Sequence, residues 1–457
     1  MLDEATRDAI LKIRDEASAR GAAALFRLHR ERSHLLRVGN NSVSLNTSEQ
    51  LTRLDVEVTD GRREGSHTVL GHIAGTETVR AALDIAAAKA SVATEKDYEP
   101  LTGAVEEPVA HSGQHDPALA ELEPAVKADA YRQVMEKVGA HYNYSGSWSS
   151  GETELYVVTT ANRNEAWQLC TDQYFTVVLK HPEQRWELQA TGTGWRAEDL
   201  AVDRVVERLQ TLLPVYEGQP GLRLEPGPYT VLLGAKALAD IAAMAAWTGL
   251  GGRGWEEKQG WTSQHKVGDR ILGANISLVD DPQNAQTFQN RFDMQGRRRG
   301  AFPLVTDGVL AGLMYDQSAA AKYGREPTGH DLYAMSLAMR PGTAPAEALE
   351  AVAEMDRVLF IPALHYTHIP NRAEGLFTGS SRFNAVLVER GRVVRPIHSS
   401  RITDTFGNVL GNVRALSSAT VSVNLSNTYG RRQPVAASVP AYAVVEGVKI
   451  TDSAESF

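Results

Sequence analysis

Tyr229–Gly249, YTVLLGAKALADIAAMAAWTG, reads as a strand (YTVLLG) passing without a loop into an Ala-rich helix at 235–247. The window Val231–Trp247 is the most apolar of the chain, yet Lys236 and Asp240 interrupt it and it is too short to cross a membrane. The Pro/Gly-rich segment just before it, 214–228 (PVYEGQPGLRLEPGP), predicts a linker. The expected organisation is therefore an N-terminal domain over 1–213, a linker over 214–228 and a C-terminal domain over 229–457. Upstream, residues 2–20 read as an amphipathic helix stopped by Gly21. Residues 23–70 alternate as strands, with Leu54, Val56 and Val58 on one side and a turn at Asp60-Gly61, and 77–94 reads as a helix packed on that sheet. Residues 98–124, with four prolines, read as a loop, and a helix resumes at 125–138. Four short strands follow over 141–190 (HYNYSGSW, ELYVVTT, TDQYFTVVLK, RWELQA), then an amphipathic helix at 197–213. Downstream of the quoted stretch lie a Gly-rich loop and a largely β-type half with one helix at 345–355. The fold class is α+β: helices on an antiparallel sheet, then a β-rich domain with a curved antiparallel sheet or barrel-like core.

The composition belongs to a folded chain of 457 residues, 42% hydrophobic and 23% charged. Forty-seven Lys and Arg against 56 Asp and Glu give a net charge of −9, which speaks against nucleic acid as a partner. The single cysteine, Cys170, excludes an intrachain disulfide and any Cys-based zinc cluster and suits a reducing compartment. The acidic N-terminus does not resemble a signal peptide. A cytoplasmic protein with no membrane partner is expected.

Most short motifs carry little. Gly249–Gly254 (GLGGRG) fits G-x-G-x-x-G, but a helix precedes it where a dinucleotide fingerprint needs a strand, so it reads as a connection. His365-Tyr-Thr-His368 offers two imidazoles, with His330 or His398 as a third donor, and zinc takes three or four such ligands. Pro362 and Pro370 argue against a helix that would fix the rings, and no acid lies between them as a base, so these read as ordinary hydrogen-bonding histidines. The nucleophile elbow G-x-S-x-G is missing, and the Ser/Gly-rich stretches 145–151 and 379–381 read as turns. Arg297–Arg299 reads as a solvated basic turn. Trp247, Trp255 and Trp261 read as packing or a lid around the Gly-rich loop.

Four segments occur in order in the second half: KVGDRILGANISLVDDP (266–282), FDMQGRRRGAFPLVTDGVLAGLMYD (292–316), AAKYGREPTG (320–329) and THIPNRAEGLFTGSSRFNAVLVERGRVVRPI (367–397). Together they resemble the TldD/PmbA family, the modulator-of-DNA-gyrase or TldD/TldE peptidases, from Lys266 to Leu416. That family has two kinds of subunit, one with a zinc motif HExxxH on the helix after the first C-terminal strand and one without. No His or Glu occurs between Tyr229 and Gly254. The resemblance therefore implies the TldE (PmbA) kind, with no catalytic residue and no metal in this chain and zinc in a homologous TldD-type partner. Zinc polarises the scissile carbonyl and acidifies a bound water while a glutamate takes the proton, so one subunit suffices for the chemistry. The other can hold an unfolded or leader-type peptide, for instance along a sheet edge. By the same resemblance Asn371, Thr378, Gly379, Ser380 and Arg382 are the expected peptide-facing or interface positions; from the residues alone they read as a turn and strand within the C-terminal sheet. Two other readings stay open: an autonomous hydrolase of a specialised peptide-like molecule using His365, His368 and His398, and a homodimeric peptide-binding protein without chemistry.

Overall fold

Asp3 caps the first helix, α1 (Glu4–Ala19), by accepting the Thr6 N–H at 2.8 Å, and Gly21 ends it at φ 74°. The buried stripe Ile10, Ile13, Ala17 gives this helix one apolar face for the sheet that follows. That sheet is built from β1 (Ala23–Gly39), β2 (Ser42–Asp60) and β3 (Arg63–Leu70), covered by α2 (Thr76–Val92). After β4 (Val109–Gln114), α3 (Pro117–Ala120) and α4 (Pro124–Val138), it continues with β5 (Asn143–Thr159), β6 (Glu165–Lys180) and β7 (Glu187–Gly194), and α5 (Val202–Gly218) closes this part. The computed structural model describes residues 2–103, 105–330, 334–426 and 431–455. Among these the first sheet runs β3-β2-β1-β5-β6-β4, with β7 also on β6; only β4 joins in parallel.

Three expectations are corrected here. The first two of the four short strands are one strand, β5, so Ser145–Gly151 is not a turn. Its glycines serve close approach instead: a Cβ on Gly146 would lie 2.1 Å from Thr176 O, and one on Gly151 would lie 2.7 Å from the Arg432 guanidinium. The 98–124 segment is not wholly loop, since it supplies β4 and α3. Helix α5 also continues through Pro214 to Gly218.

Two helical layers cover the outer face of this sheet. Helices α1 and α2 lie over Phe26, Leu28, Leu54, Val56 and Tyr156, while α4 and α5 lie over Leu36, Tyr144, Trp148, Phe175 and Val177. Helix α5 is shared: the same core takes in Leu232, Val358, Val386 and Tyr442 of the second half, and the Tyr216 hydroxyl donates to Ala385 O at 3.0 Å.

Strand β8 (Gly227–Gly234) and helix α6 (Ala235–Gly249) open that half, as the sequence predicts. Strand β8 sits inside a nine-stranded sheet, antiparallel to Tyr442–Ala454 and parallel to Val358–Ile361. A six-stranded sheet lies beyond it and includes Leu278–Asp280, Ala436–Pro440 and Thr420–Asn424. Neither described sheet closes on itself, so the barrel-like alternative is not realised, and both are mixed rather than purely antiparallel. The α+β class stands. Helix α6 packs between the two sheets, which accounts for its nearly all-apolar surface. Among the described residues no helix is long and apolar enough to cross a membrane.

Candidate functional site

A cleft of about 560 Å³ lies where the inner face of the first sheet meets α6. Strand alternation decides which side chains reach it: Glu31 and Ser33 from β1, Ser147 and Ser149 from β5, Asp172 and Tyr174 from β6. From the second half come Lys236 and Asp240 of α6, Asn424 and Arg432. Lys236 and Asp240 are one helical turn apart, and the ammonium donates to both carboxylate oxygens at 2.6 Å. Burial pushes the Asp240 carboxyl above its ordinary range, against the pull of Lys236. Burial, with the Asp240 charge beside it, pushes the Tyr174 phenol up to about 12.

The opposite wall is fixed by Arg432, which is fully buried. Its Nε donates to Asp172 Oδ1 at 2.6 Å, one terminal nitrogen to Ser149 Oγ at 3.0 Å, and the other to Asp172 O at 3.2 Å. Its backbone N–H donates to Glu31 Oε2 at 2.6 Å, and His29 Nε2 stands 2.9 Å from the same oxygen. Burial opposes ionisation of Glu31, but these hydrogen bonds outweigh it and hold the carboxyl below its usual range. The cleft is thus a polar, hydrogen-bonding channel with charges of both signs, suited to backbone and side-chain groups of an extended ligand more than to an apolar one.

The residues singled out from sequence fall partly near this cleft. His365 begins the strand His365–Asn371, an edge of the nine-stranded sheet. Its ring stands edge-on to Phe383 at 4.8 Å, and burial, then the charges of Lys236 and Arg382, lowers its pKa to about 4. Arg382 donates to Tyr366 Oη at 2.8 Å and pairs with Glu187 at 3.1 Å. Thr378, Gly379 and Ser380 are buried in the strand Leu376–Ser380, paired on both sides. Their hydroxyls meet sheet neighbours, Thr378 Oγ1 with Thr403 Oγ1 at 3.1 Å and Ser380 Oγ with Ser399 Oγ at 2.6 Å. The stretch 379–381 is therefore not a turn. Asn371, at the end of the edge strand, is half-buried.

His368 is exposed, His330 is bound to Asp280 at 2.6 Å, and the ring of His398 lies against Gly221. Among the described residues no three His, Cys, Asp or Glu side chains gather in a metal-holding arrangement. Helix α6, where the zinc-bearing subunits of the resembled family carry their ligands, has only the Lys236–Asp240 pair, whose ammonium repels a cation. These residues do not fit zinc.

Arg297–Arg299 is solvated only at Arg298. Arg297 and Arg298 pair with Glu106 and Glu107 of the 98–124 segment, and Arg299 turns inward with both carboxylate oxygens of Asp280 at 2.9 and 2.7 Å. Trp255 and Trp261 are packing residues, each indole N–H donating at 2.9 Å to a carbonyl, of His265 and Ala245 respectively.

Fold and cleft together define a chain of two sheet-containing halves joined through α5 and Arg432, with its interior helix α6 forming one wall of a polar cleft. Residues 226–452 match the family model of the PmbA/TldA metallopeptidase C-terminal domain, and the chain belongs to the TldD/PmbA family. The fold is similar to TldE from Thermococcus kodakarensis, with a TM-score of 0.79 at 17% identity over 97% of this chain and 100% of that one. It is also similar to a Thermotoga maritima protein described as a candidate modulator of DNA gyrase, with a TM-score of 0.77 at 16% identity over 97% and 99% of the two chains. A metalloprotease of Methanothermobacter thermautotrophicus is 32% identical over 65 residues, which span 14% of this chain and 14% of that protein's length.

Proposed function

We propose that this chain is a TldE-like, non-catalytic subunit of a two-chain zinc metallopeptidase that acts on unfolded peptides or peptide-like precursors. It shapes the substrate cavity, and a homologous TldD-type subunit brings HExxxH and zinc. The observation that carries the reading is α6: it follows the first C-terminal strand and faces the cleft, yet presents Lys236 and Asp240 and no His or Glu. The named likenesses to a TldE and to a metalloprotease support the same reading. Peptide is the substrate class because the cleft offers dispersed hydrogen-bonding groups, and because His365–Asn371 is a sheet edge to which an extended chain can add. Asn371 and Arg382 are then the positions of the resemblance nearest the peptide, with Thr378, Gly379 and Ser380 shaping the strand behind them. A single buried cysteine suits a cytoplasmic setting.

The test is metal content and peptide cleavage, first of the chain alone and then after co-expression with an HExxxH-bearing homologue. The chain alone is expected to hold no tightly bound zinc and to cleave nothing, and the pair to cleave an unfolded peptide. About one tightly held zinc per isolated chain, or turnover by the chain alone, overturns the reading.

A further inference from the structure

Strand β2 outruns its neighbour. Its pairing with β1 extends from Thr59 back to Ser42, but β3 covers only Arg53–Asp60, and just beyond that Thr52 O accepts the Gly71 N–H at 2.8 Å. Leu45–Leu51 (LNTSEQL) is therefore a bare sheet edge, with no backbone partner on its outer side among the described residues. It spans about 23 Å at the rise of a strand. The edge is firmly held, because β1 behind it is itself paired with β5 from Leu25 to Val38.

Solitary edges in native folds are blunted by Lys, Pro, bulges or a covering element, since bare N–H and C=O groups recruit another strand. This one holds no Lys, Arg, Pro or Gly and a single acid, Glu49. The one bulge in the β1–β2 pairing lies outside it, at Ser44 beside the hairpin turn, where Val38 faces Val43 and Arg37 faces Leu45. Leu45 is 42% exposed, an apolar side chain left on an open edge.

The order of residues supplies the occupant. Set antiparallel to itself in full overlap, LNTSEQL places Leu45 opposite Leu51, Asn46 opposite Gln50, Thr47 opposite Glu49 and Ser48 opposite its own copy. Apolar meets apolar, amide meets amide and a hydroxyl meets a carboxylate, with no like charges face to face, which is what stabilises neighbouring strands. We propose that a second copy of the chain docks here, adding its own Leu45–Leu51 antiparallel to this one about a two-fold axis. Such an axis stands normal to the sheet and leaves like faces on one side. Thr47 and Glu49, which line the cleft, then meet their counterparts, and the clefts of the two copies share one continuous floor. Docking of a second copy does not rest on the subunit reading.

The test is sedimentation velocity of the full chain, with amide hydrogen exchange at low and high concentration. Seven paired residues make less than a standard interface, so a monomer–dimer equilibrium dissociating at about 1–100 µM is expected. The amides of 45–51 are expected to exchange more slowly as the dimer fills. Thr47 is half-buried and Glu49 exposed, so both tolerate substitution, and they probe the register with opposite signs. Thr47→Glu sets a carboxylate against Glu49 on each side of the axis and is expected to weaken the dimer by about 10-fold, whereas Thr47→Lys is expected to tighten it by about 3-fold. Thr47→Glu combined with Glu49→Lys is expected to recover the dimer. A chain still monomeric at about 500 µM, well above the expected range, overturns the docking. So does a dimer whose 45–51 amides exchange as in the monomer, or Thr47→Glu and Thr47→Lys shifting the affinity in the same direction. Protection of 45–51 that arises only when an HExxxH-bearing homologue or an unfolded peptide is added gives the edge to that occupant and overturns the second copy.

Discussion

The Arg432 guanidinium lies across Gly151 of β5 and closes a 2.6 Å ion pair with Asp172 of β6, so a residue from near the C-terminus is built into the inner face of the N-terminal sheet. Both side chains are at most 2% exposed. Removing one partner leaves the other charge buried and unpaired, so Arg432→Ala or Asp172→Ala is expected to lower stability by about 3–5 kcal/mol. Arg432→Met combined with Asp172→Leu removes both charges and is expected to cost less than either single change. Denaturant midpoints of the three variants check this, and additive losses would rule out the coupling.

On the other face of the same strand, the Lys127 ammonium is buried, donating to Ser150 Oγ at 2.7 Å and lying 5.8 Å from the Trp148 ring centre. Burial, with the Arg432 charge adding to it, lowers its pKa to about 8 from an ordinary 10.5. The unfolded chain then binds more protons than the folded one between these values, so Lys127 makes stability rise with pH across that window and withholds stability below it. Lys127→Met keeps the volume and removes the penalty. It is expected to raise stability at pH 7 by about 1–2 kcal/mol and to flatten the rise above pH 8, as measured by denaturation at pH 7 and pH 10.

What could be read from the sequence was what is decided locally. The β8–α6 junction, α1 with its glycine stop, and α2 follow from apolar spacing and caps, and the structure places them within a residue or two of expectation. Strand β5 was hidden because Ser145–Gly151 has the composition of a turn. Its glycines are required by the Thr176 carbonyl and Arg432, and the partner of the latter, Asp172, is 260 residues away in the chain. Arg299 was hidden for the same reason, since a basic run looks solvated until Asp280 is seen to face it. Of the cleft, only Lys236 and Asp240 left a trace, as the two charges breaking the most apolar window. Asp172, Glu31 and Arg432 left none, because ion pairs across sheets have no sequence period.

His365 ties this cleft to acid stability. Burial and the nearby Lys236 and Arg382 charges lower its pKa from 6.5 to about 4, so the imidazole stays neutral in the folded chain while the unfolded chain protonates. A depressed histidine pKa means stability is fully present above pH 6.5 and is lost as pH falls toward 4. His365→Gln is expected to remove this part of the acid sensitivity, flattening stability between pH 6.5 and 4 by about 1–2 kcal/mol. Thermal midpoints of both proteins across that range check it, and parallel curves would mean that another group carries the loss.

Lys236 and Asp240 give the last test, because each is the other's compensation on α6. The pair is only partly shielded, with Lys236 36% and Asp240 15% exposed, so breaking it is expected to cost about 1–3 kcal/mol, less than for a fully buried pair. The sign with pH differs from that of His365. Burial raises the Asp240 pKa, so its contribution is fully present below the ordinary carboxylate pKa and is lost as pH rises through the raised folded value. Lys236→Met removes the ammonium that opposes this shift, moving the loss toward neutral pH. The variant should match the parent near pH 4 and fall below it by pH 8, whereas Lys236→Met with Asp240→Asn should have no such slope. Tyr174, whose phenol feels the Asp240 charge, should titrate at lower pH in the double variant, and ultraviolet difference spectra would show it. A Lys236→Met variant as stable at pH 8 as at pH 4 would mean that Asp240 is solvated in the free chain and that the cleft is wetter than its geometry requires.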